Sequence, residues 1–367
     1  MKRLRILHTE ASLGWGGQEI RILTEMQGMA ARGHELTLLA PETSHIFSAA
    51  QKRGLHAEAL PIGRKNLTGL LALRRWLKQH PVDIINTHSS SDTWLAALAC
   101  ASLSVAPPLV RTRHISAPVP NNMTSRWLYR RATAYVVTTG EKLRQQLIRE
   151  VGLAADKVES VPTGIDLDLY SPGDSAAARA ALGLDPQRFI VGIVATLRSW
   201  KGHRYLVDAL AKLPQDIMLV IVGDGPQRNS LTQQVNQSGL NNRVVFTGNR
   251  EDVTSLMQAF DLFVLPSYAN EGVPQALMQA MACGLPVIST PVGSIAEIIT
   301  DNETGLLVEP QQVEALRQAI AHLAQDSAQR TRLGAQALTR ARERFGEARM
   351  VDRMQAIFQR VIDSSPR

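Results

Sequence analysis

Charged and polar side chains recur in this sequence where short apolar runs end. Glu271 follows the run LFVLP, and the amide Gln279 stands eight positions later in a stretch with helical period. A carboxylate so placed can accept hydrogen bonds from ligand hydroxyls, or it can simply stabilise the N-terminus of a helix. Arg198 and Lys201 follow the run FIVGIVATL. This pair of cations can neutralise a diphosphate, unless it is only part of a solvated surface.

The first half of the chain contains a second group of such residues. The turn GWGG at 14–17 leads from an apolar run into a helical stretch, where backbone N–H groups and the helix dipole favour an anion. A turn needed only for packing would look the same, and the spacing differs from the Gly-x-Gly-x-x-Gly dinucleotide motif. His88 and His114 also end apolar runs, although a single histidine is more often a packing residue. Arg111 and Arg113 alternate beside His114, which favours that strand end.

Short strand patterns alternate with amphipathic helical patterns along the whole chain. Such alternation implies parallel sheets covered by helices on both faces. Two separate sets of strands imply two doubly wound domains, each with its ligand site at the carboxyl ends of its strands. Strands are predicted at 4–8, 35–40, 83–88, 109–114 and 134–139, and then at 189–197, 217–223, 243–248, 262–266, 286–290 and 305–310.

The boundary between the two domains is visible in the composition. Residues 161–186 are rich in Gly, Pro, Asp and Ser around one short helical piece, as expected of a linker. We predict one domain over 1–165 and a second over 166–345. The last stretch, 346–367, reads as a long amphipathic helix that packs back on the first domain. A crevice between two such domains is the expected ligand site.

Positive charge is concentrated in the first domain. Residues 1–165 carry 21 Lys and Arg against 12 Asp and Glu, a balance of +9, whereas the remainder of the 367 residues balances at −2. An anionic membrane surface, a phosphorylated substrate or a merely solvated basic surface would each explain this. Nucleic acid is the weakest candidate and is not expected as a partner, because aromatic residues make up only 5% of the chain and no stacking motif is present.

The sequence favours a cytoplasmic protein. Its N-terminus lacks the apolar segment of a secretory signal, and the longest apolar run, at 94–110, is interrupted by two prolines and reads as a core helix followed by a strand. Cys100 and Cys283 lie in apolar helical surroundings and are expected to be reduced thiols.

Seven motifs occur in register along the chain: GWGGQE (14–19), the strand-end His114, VPTGID (161–166), ATLRSWKG (195–202), VGDGP (222–226), FTGNREDV (246–253) and EGVPQALMQAMACGLPVIST (271–290). Together they resemble the family 4 glycosyltransferases, which are retaining enzymes. The resemblance implies the GT-B fold, in which two doubly wound Rossmann-like domains have parallel sheets facing a central crevice. It also implies that the N-terminal domain binds the acceptor and the C-terminal domain binds the nucleotide-sugar donor.

The resemblance implies roles for individual residues. Arg198 and Lys201 would hold the nucleotide diphosphate, Glu271 would contact hydroxyls of the transferred sugar, and His114 would lie against that sugar. Further donor contacts are implied for Gly16, Gly17, Arg250, Val253, Asn270, Gly272, Val273, Gln275 and Gln279. Glu19, His88, Arg111 and Arg113 are implied on the acceptor side.

Two positions depart from the family pattern. Gln279 stands where a second acid usually binds ribose, and an amide there should weaken donor binding by about 1 kcal/mol. Thr196 stands where many relatives carry an arginine, so Arg198 is expected to supply that charge. Asp166 and Asp168 resemble the metal-binding Asp-x-Asp motif of the other glycosyltransferase fold but lie in the linker. We therefore expect no metal, and no cofactor besides the nucleotide diphosphate sugar as co-substrate.

These observations predict a retaining glycosyltransferase of hexosyl or N-acetylhexosaminyl type. Its acceptor would be a hydroxyl of a glycan or lipid-linked glycan, such as lipopolysaccharide core, and it would bind peripherally to the inner face of the cytoplasmic membrane. One alternative is a nucleotide-sugar 2-epimerase of the same fold, whose additional acid–base carboxylates we do not locate in this sequence. The other is a non-catalytic scaffold that binds nucleotide sugar, against which the intact Glu271, Arg198 and Lys201 argue.

Overall fold

The computed structural model describes residues 3–114, 119–269 and 271–365. The chain divides into two compact units. The N-terminal unit comprises residues 1–164 together with 347–367, and the C-terminal unit comprises residues 165–346. The chain therefore passes from one unit to the other twice, after residue 164 and after residue 346.

The N-terminal unit is built on a seven-stranded sheet in which every strand pair is parallel. The strand order is β3-β2-β1-β4-β5-β6-β7, so the direction of winding reverses between β1 and β4. Ligands of such sheets bind at the carboxyl ends of the strands on either side of this reversal. The strands are β1 (Arg5–Thr9), β2 (Glu35–Ala40), β3 (Ala57–Ala59), β4 (Ile84–Thr87), β5 (Leu109–Arg113), β6 (Tyr135–Thr138) and β7 (Val158–Ser160).

Helices cover both faces of this sheet, as two separate apolar cores indicate. One core unites α1 and α2 with the C-terminal helix Glu347–Ser364, and the other unites α3 and α4 with the segment around Leu128. The C-terminal helix packs closely on α1, because a Cβ atom at Gly28 would stand 2.5 Å from Val351. The other helices of the unit are α1 (Gly17–Ala31), α2 (His45–Lys52), α3 (Leu67–Gln79), α4 (Ser90–Ala101), α5 (Met123–Trp127) and α6 (Glu141–Gln146).

The C-terminal unit repeats this architecture with a six-stranded parallel sheet around one core. Its order is β10-β9-β8-β11-β12-β13, and the winding reverses between β8 and β11. The strands are β8 (Phe189–Val194), β9 (Ile217–Val222), β10 (Val244–Gly248), β11 (Leu262–Leu265), β12 (Val287–Ser289) and β13 (Leu306–Leu307). The helices are α7 (Ser175–Leu182), α8 (His203–Leu210), α9 (Arg228–Gln237), α10 (Val253–Ala259), α11 (Gln275–Ala282), α12 (Ile295–Ile298), α13 (Val313–Gln325) and α14 (Ser327–Arg344).

The prediction of two doubly wound parallel sheets is confirmed, and each predicted strand is present. Two strands were missed, β3 and β7. Both have three residues and lie at the edges of their sheet, and their sequences AEA and VES contain no apolar run. An edge strand is only partly buried, so its sequence has little of the apolar pattern by which buried strands are recognised.

Candidate active site

Three histidines form a chain at the carboxyl ends of neighbouring strands in the N-terminal unit. His8 lies in β1, His88 follows β4 and His114 follows β5, and these strands are adjacent in the sheet. Nδ1 of His8 is 2.9 Å from Nε2 of His88, and Nδ1 of His88 is 3.0 Å from Nε2 of His114. Burial lowers the pKa of His8 to about 3 and holds the pKa values of His88 and His114 well below their usual range. All three rings are therefore neutral near pH 7.

The buried end of this chain meets a carboxylate from α1. Oε1 of Glu25 is 3.9 Å from Nε2 of His8, and both side chains are completely buried. The amide Nδ2 of Asn86 donates to Oε1 of Glu25 at 3.0 Å, and Oγ1 of Thr112 donates to Oδ1 of Asn86 at 2.9 Å. Burial raises the pKa of Glu25 to about 7, against a smaller opposing effect of the charge on Arg21.

The Gly-rich turn is held by a second buried carboxyl, that of Glu10. Its two oxygens accept hydrogen bonds from the backbone N–H of Ser12 at 2.7 Å and from Nε2 of Gln18 at 2.5 Å. Helix α1 then begins at Gly17, with Gly16 in extended conformation before it, and Glu19 in its first turn is buried. Burial and, second, the charge of Asp92 raise the pKa of Glu10 to about 8. Near pH 7 this carboxyl is mainly protonated, which suits a position beside other acids.

Asp92, a residue of α4, connects β1 and β4 at the carboxyl ends of these strands. Its carboxylate accepts hydrogen bonds from Oγ1 of Thr9 at 2.8 Å and from the backbone N–H of His88 at 2.9 Å. Its other oxygen accepts hydrogen bonds from the backbone N–H and the hydroxyl of Ser89, and the bond from the backbone N–H belongs to the capping box of α4. These contacts fix the backbone on which His88 stands.

The two arginines predicted beside His114 both contact Tyr129. Cζ of Arg111 lies 4.7 Å from the centre of the Tyr129 ring, and Nη1 of Arg113 donates to the Tyr129 hydroxyl at 3.0 Å. Both side chains are buried, and burial lowers the pKa of Arg111. The strand alternation that placed them on one face is confirmed, and Tyr129 is the partner that the sequence did not indicate.

In the C-terminal unit, a buried ion pair lies where the winding of the sheet reverses. Lys201 ends a short 3-10 turn after β8, and Glu271 lies in the loop after β11. Nζ of Lys201 donates to Oε1 of Glu271 at 2.7 Å, and Oγ of Ser267 donates to the same oxygen at 2.6 Å. The Glu271 side chain is 4% exposed and that of Lys201 is 20% exposed, so the pair opens to solvent on the lysine side.

The backbone around this ion pair requires glycine at two positions. Gly202 has φ +79°, and a Cβ atom there would stand 2.0 Å from the carbonyl oxygen of Pro266. Gly293 has φ +62°, and its Cβ would stand 2.0 Å from the carbonyl oxygen of Glu271. Only glycine fits such positions, because both the conformation and the space exclude a side chain. Lys201 and Glu271 are thus brought together by loops that lie closely packed on each other.

The other two cations predicted in this unit, Arg198 and Arg250, are exposed. Arg198 is exposed, with Cζ 5.7 Å from the centre of the Trp200 ring. Arg250 forms a bidentate ion pair with Asp252 at 2.7 and 2.6 Å, and both side chains are exposed. Val253 begins α10 directly after this pair.

The residues after Glu271 lead into helix α11. Gly272 and Val273 precede it, Gln275 is its first residue, and Gln279 lies in its last turn. Glu271 itself lies four residues before the helix, so it does not share a helix face with Gln279. Asn270, also predicted to contact the donor, lies outside the described residues.

Several residues at these strand ends were missed by the sequence analysis. His8, Glu25 and Asp92 lie inside strand and helix patterns that indicate buried core, Glu10 directly follows β1, and Ser267 is one small residue in a loop. One feature of the sequence could have identified three of them. His8, Glu25 and Asp92 occupy positions where an apolar pattern would normally have hydrophobic residues.

No group of His, Cys, Asp and Glu side chains among the described residues is arranged to hold a metal ion. Asp166 instead accepts hydrogen bonds from the backbone N–H groups of Asp168 and Leu169 at 3.0 and 2.9 Å, as in an Asx turn. In the same parts of the chain, none of the helices is both long enough and apolar enough to cross a membrane.

Comparison with known proteins identifies the family. Residues 15–169 match Glycosyltransferase Family 4, and residues 174–340 match the glycosyl transferases group 1. A D-inositol 3-phosphate glycosyltransferase of Mycobacterium sp. (strain JLS) is 30% identical over 339 residues, which cover 81% of this chain and 75% of the relative. The chain belongs to the family 4 glycosyltransferases. It is a nucleotide-sugar-dependent glycosyltransferase with the GT-B fold, as the sequence analysis predicted.

Another relative of this family 4 glycosyltransferase and one solved structure are also similar to it. A 2-deoxystreptamine glucosyltransferase of Streptomyces kanamyceticus is 29% identical over 73% of this chain and 78% of its own length. Anabaena HepE, whose crystal structure was determined in complex with UDP and glucose, is 25% identical in sequence. The superposition covers 97% of this chain and all of the HepE chain, with a TM-score of 0.86. The family is thus clear, whereas the names of the Mycobacterium and Streptomyces relatives refer to different acceptors.

Proposed function

We propose that this protein transfers a hexose from a nucleotide diphosphate sugar to an acceptor hydroxyl with retention of configuration. The observation that carries this proposal is the Lys201–Glu271 pair at the strand ends of the C-terminal unit. A cation and a carboxylate side by side suit a ligand that is anionic at its diphosphate and rich in hydroxyls at its sugar. We propose that the C-terminal unit binds the donor and the N-terminal unit binds the acceptor.

The transition state of such a transfer has oxocarbenium character, and negative charge grows on the leaving diphosphate. Lys201 and Arg198 stabilise that charge where it develops, which is the largest contribution expected in such a site. Arg198 is exposed and free to reorient towards the diphosphate, whereas Lys201 is held by Glu271. The acceptor hydroxyl attacks from the face of the leaving group, and a diphosphate oxygen takes its proton. His114 contacts the transferred sugar, and none of these steps is assigned to a metal ion.

UDP-glucose is the first donor to test. HepE was crystallised with UDP and glucose, and the Streptomyces relative is named a glucosyltransferase. A thermal-shift panel of UDP, GDP, ADP and their common sugar conjugates will identify the nucleotide, because a ligand that binds only the folded protein raises its Tm.

Loss of turnover in two variants tests the catalytic roles. We expect Arg198→Ala and Lys201→Ala each to lower kcat on the order of a hundredfold, as expected when a group that stabilises the transition state is removed. Arg204→Ala is the matched control, since Arg204 is an exposed cation on the neighbouring helix α8. The assay measures nucleotide release and labelled sugar transfer together, with and without EDTA. Turnover of either variant within a few-fold of wild type contradicts these roles, and loss of transfer in EDTA contradicts metal independence.

We further propose that the acceptor is a lipid-linked glycan or lipopolysaccharide core at an anionic membrane surface. Helix α3 supports this proposal, because one of its faces exposes Leu67 (74%) and Leu71 (62%) and then Arg75 and Lys78. Exposed leucines can insert between the headgroups of an anionic bilayer, and nearby cations are attracted to its surface. The net positive charge of the N-terminal half acts in the same direction.

Vesicle sedimentation tests the membrane proposal. We expect binding to phosphatidylglycerol-containing vesicles at low salt, weaker binding at high salt, and little binding to vesicles of phosphatidylcholine alone. Leu67→Ser combined with Leu71→Ser should reduce binding, whereas Val105→Ser, an exposed apolar residue outside α3, should not. Binding that is absent at low salt, or unchanged by the α3 variant, contradicts the proposal.

The same assays separate the two alternative functions. A scaffold would bind a nucleotide sugar without releasing nucleotide. A 2-epimerase would convert the sugar without any acceptor, and NMR of the donor would detect the new epimer. Transfer of labelled sugar to an acceptor excludes both.

A further inference from the structure

The His8–His88–His114 chain has a property that depends on how its hydrogen bonds are connected. A neutral imidazole carries one proton, so one ring nitrogen donates and the other accepts. His88 uses both nitrogens within the chain, since its Nε2 meets His8 and its Nδ1 meets His114. The three rings must therefore share one tautomer. Either all carry the proton on Nε2, or all carry it on Nδ1.

These two arrangements are called the Nε2 order and the Nδ1 order. The group at the buried end of the histidine chain determines which of them forms. Nε2 of His8 and Oε2 of Glu25 are buried without hydrogen-bond partners, and Oε1 of Glu25 stands 3.9 Å from that nitrogen. A carboxylate at this distance favours a proton on Nε2 of His8, since the alternative directs a lone pair at a negative charge. Asn86 and Thr112 hold the carboxylate in place through their hydrogen bonds.

We infer that Glu25 and His8 are positioning residues, which fix the tautomer of His114 through His88 and leave Nδ1 of His114 as a hydrogen-bond acceptor for a sugar hydroxyl. Nε2 of His114 donates to His88 in this order, so Nδ1 is the ring nitrogen left for a ligand. The part of the inference that concerns the sugar rests on the function proposed above. The part that concerns the tautomer does not.

The charged groups that face this chain determine its response to pH. Glu25 and Arg21 approach from α1, Arg111 from β5 and Asp92 from α4. Protonation of Glu25, whose pKa burial raises to about 7, removes the negative charge that selects the Nε2 order. The order is therefore expected to be fixed at pH 8 and to relax at pH 6.

Histidine-selective ¹⁵N labelling of the full chain tests the tautomer directly. At pH 8, long-range ¹H–¹⁵N spectra should show His8, His88 and His114 protonated on Nε2. Glu25→Gln, which removes the charge at nearly constant volume, should shift the three rings to a mixture of tautomers, whereas Glu25→Asp should keep the wild-type order. His34 is an internal control, because its Nδ1 accepts from the backbone N–H of Leu4 and so keeps its proton on Nε2 in every variant.

Two results would overturn the tautomer assignment. One is protonation of His8 and His88 on Nδ1 in the wild-type protein at pH 8. The other is an unchanged spectrum of the three rings in Glu25→Gln. If Glu25→Gln does not fold, the wild-type spectra at pH 8 and pH 6 decide the question by themselves.

Kinetics test the link to sugar transfer. Glu25→Gln should lower kcat on the order of tenfold with KM for the donor within about twofold, because a misdirected ring nitrogen acts on orientation in the transition state. The pH dependence of kcat near 7 should disappear in this variant. A wild-type tautomer assignment without any sugar transfer would contradict the proposed function alone. Full transfer by a Glu25→Gln protein whose tautomers have changed would contradict the link.

Discussion

The two units differ in how the strand ends are connected where the winding of each sheet reverses. In the N-terminal unit buried side chains make the connection, whereas in the C-terminal unit closely packed backbone segments make it. His8, His88 and His114 bridge three strands through their rings. In the C-terminal unit the loops after β8 and β11 approach so closely that Gly202 and Gly293 leave no space for a Cβ atom. One buried ion pair then completes the site.

This difference shows two ways to hold polar groups at the end of a parallel sheet. The three neutral imidazoles avoid the desolvation penalty of buried charge, so their chain can extend through several side chains. A buried ion pair requires close geometry and further hydrogen bonds, so it depends on a rigid backbone. The N-terminal unit should therefore respond to pH, and the C-terminal unit should respond to changes at its glycines.

The largest effect is expected from Gly293→Ala. Gly293 has φ +62°, and the new Cβ would stand 2.0 Å from the carbonyl oxygen of Glu271. We therefore expect the free energy of unfolding to fall by a value on the order of 3 kcal/mol, from strain and overpacking together. Gly239→Ala is the control, because Gly239 has φ +67° but no atom within 4 Å of its Cβ. Thermal unfolding should show a clearly larger fall in Tm for Gly293→Ala. Equal falls would mean that space does not restrict this loop.

Removing one hydroxyl from each unit compares the two carboxylates. Ser267→Ala deletes a donor to Glu271 and should destabilise the protein by about 2 kcal/mol. Thr9→Val deletes a donor to Asp92, but Asp92 keeps three other hydrogen-bond donors, and burial raises its pKa. We therefore expect about half the destabilisation of Ser267→Ala. Urea unfolding measures both. A larger loss for Thr9→Val would contradict the comparison between the units.

The pH response of the N-terminal unit can be tested with Glu10→Gln. The pKa of Glu10 is raised from 4.5 to about 8, so the folded protein binds more protons than the unfolded chain between these values, and stability falls as pH rises through this window. The variant removes that contribution. Its Tm should fall less than that of wild type between pH 5.5 and pH 8.5. The same slope in both proteins would mean that Glu10 is ionised in the fold.

The smallest effect is expected from Gln279→Glu. A carboxylate at this half-buried position would make charge-assisted hydrogen bonds to a ribose diol, which should strengthen UDP binding by about 1 kcal/mol, or roughly fivefold in Kd. Calorimetric titration of both proteins measures the change, with Gln275→Glu as a control on the same helix. No change in Kd would place position 279 away from the ribose.

Most of the fold could be predicted from the sequence because its information is local. Alternating and helical apolar patterns indicated the strands that are buried on both faces, and glycines near strand ends indicated the turns between strand and helix. The short edge strands β3 and β7 were missed because edge burial leaves no apolar run. Among site residues, Lys201 and Glu271 were recognised by type and by position after a strand, but Ser267 was not, since one serine in a loop has no distinguishing pattern.

The sequence by itself therefore determined the two parallel sheets, the family and the residues that stand at strand ends. Tertiary structure alone decided which of them meet. Lys201 and Glu271 are 70 positions apart, and His8 and His88 are 80 apart. Their contact depends on the order of strands in each sheet, which is set by packing of the whole unit and not by any local pattern. The direction of the hydrogen bonds along the histidine chain depends further on Glu25, which α1 brings under β1 and β4.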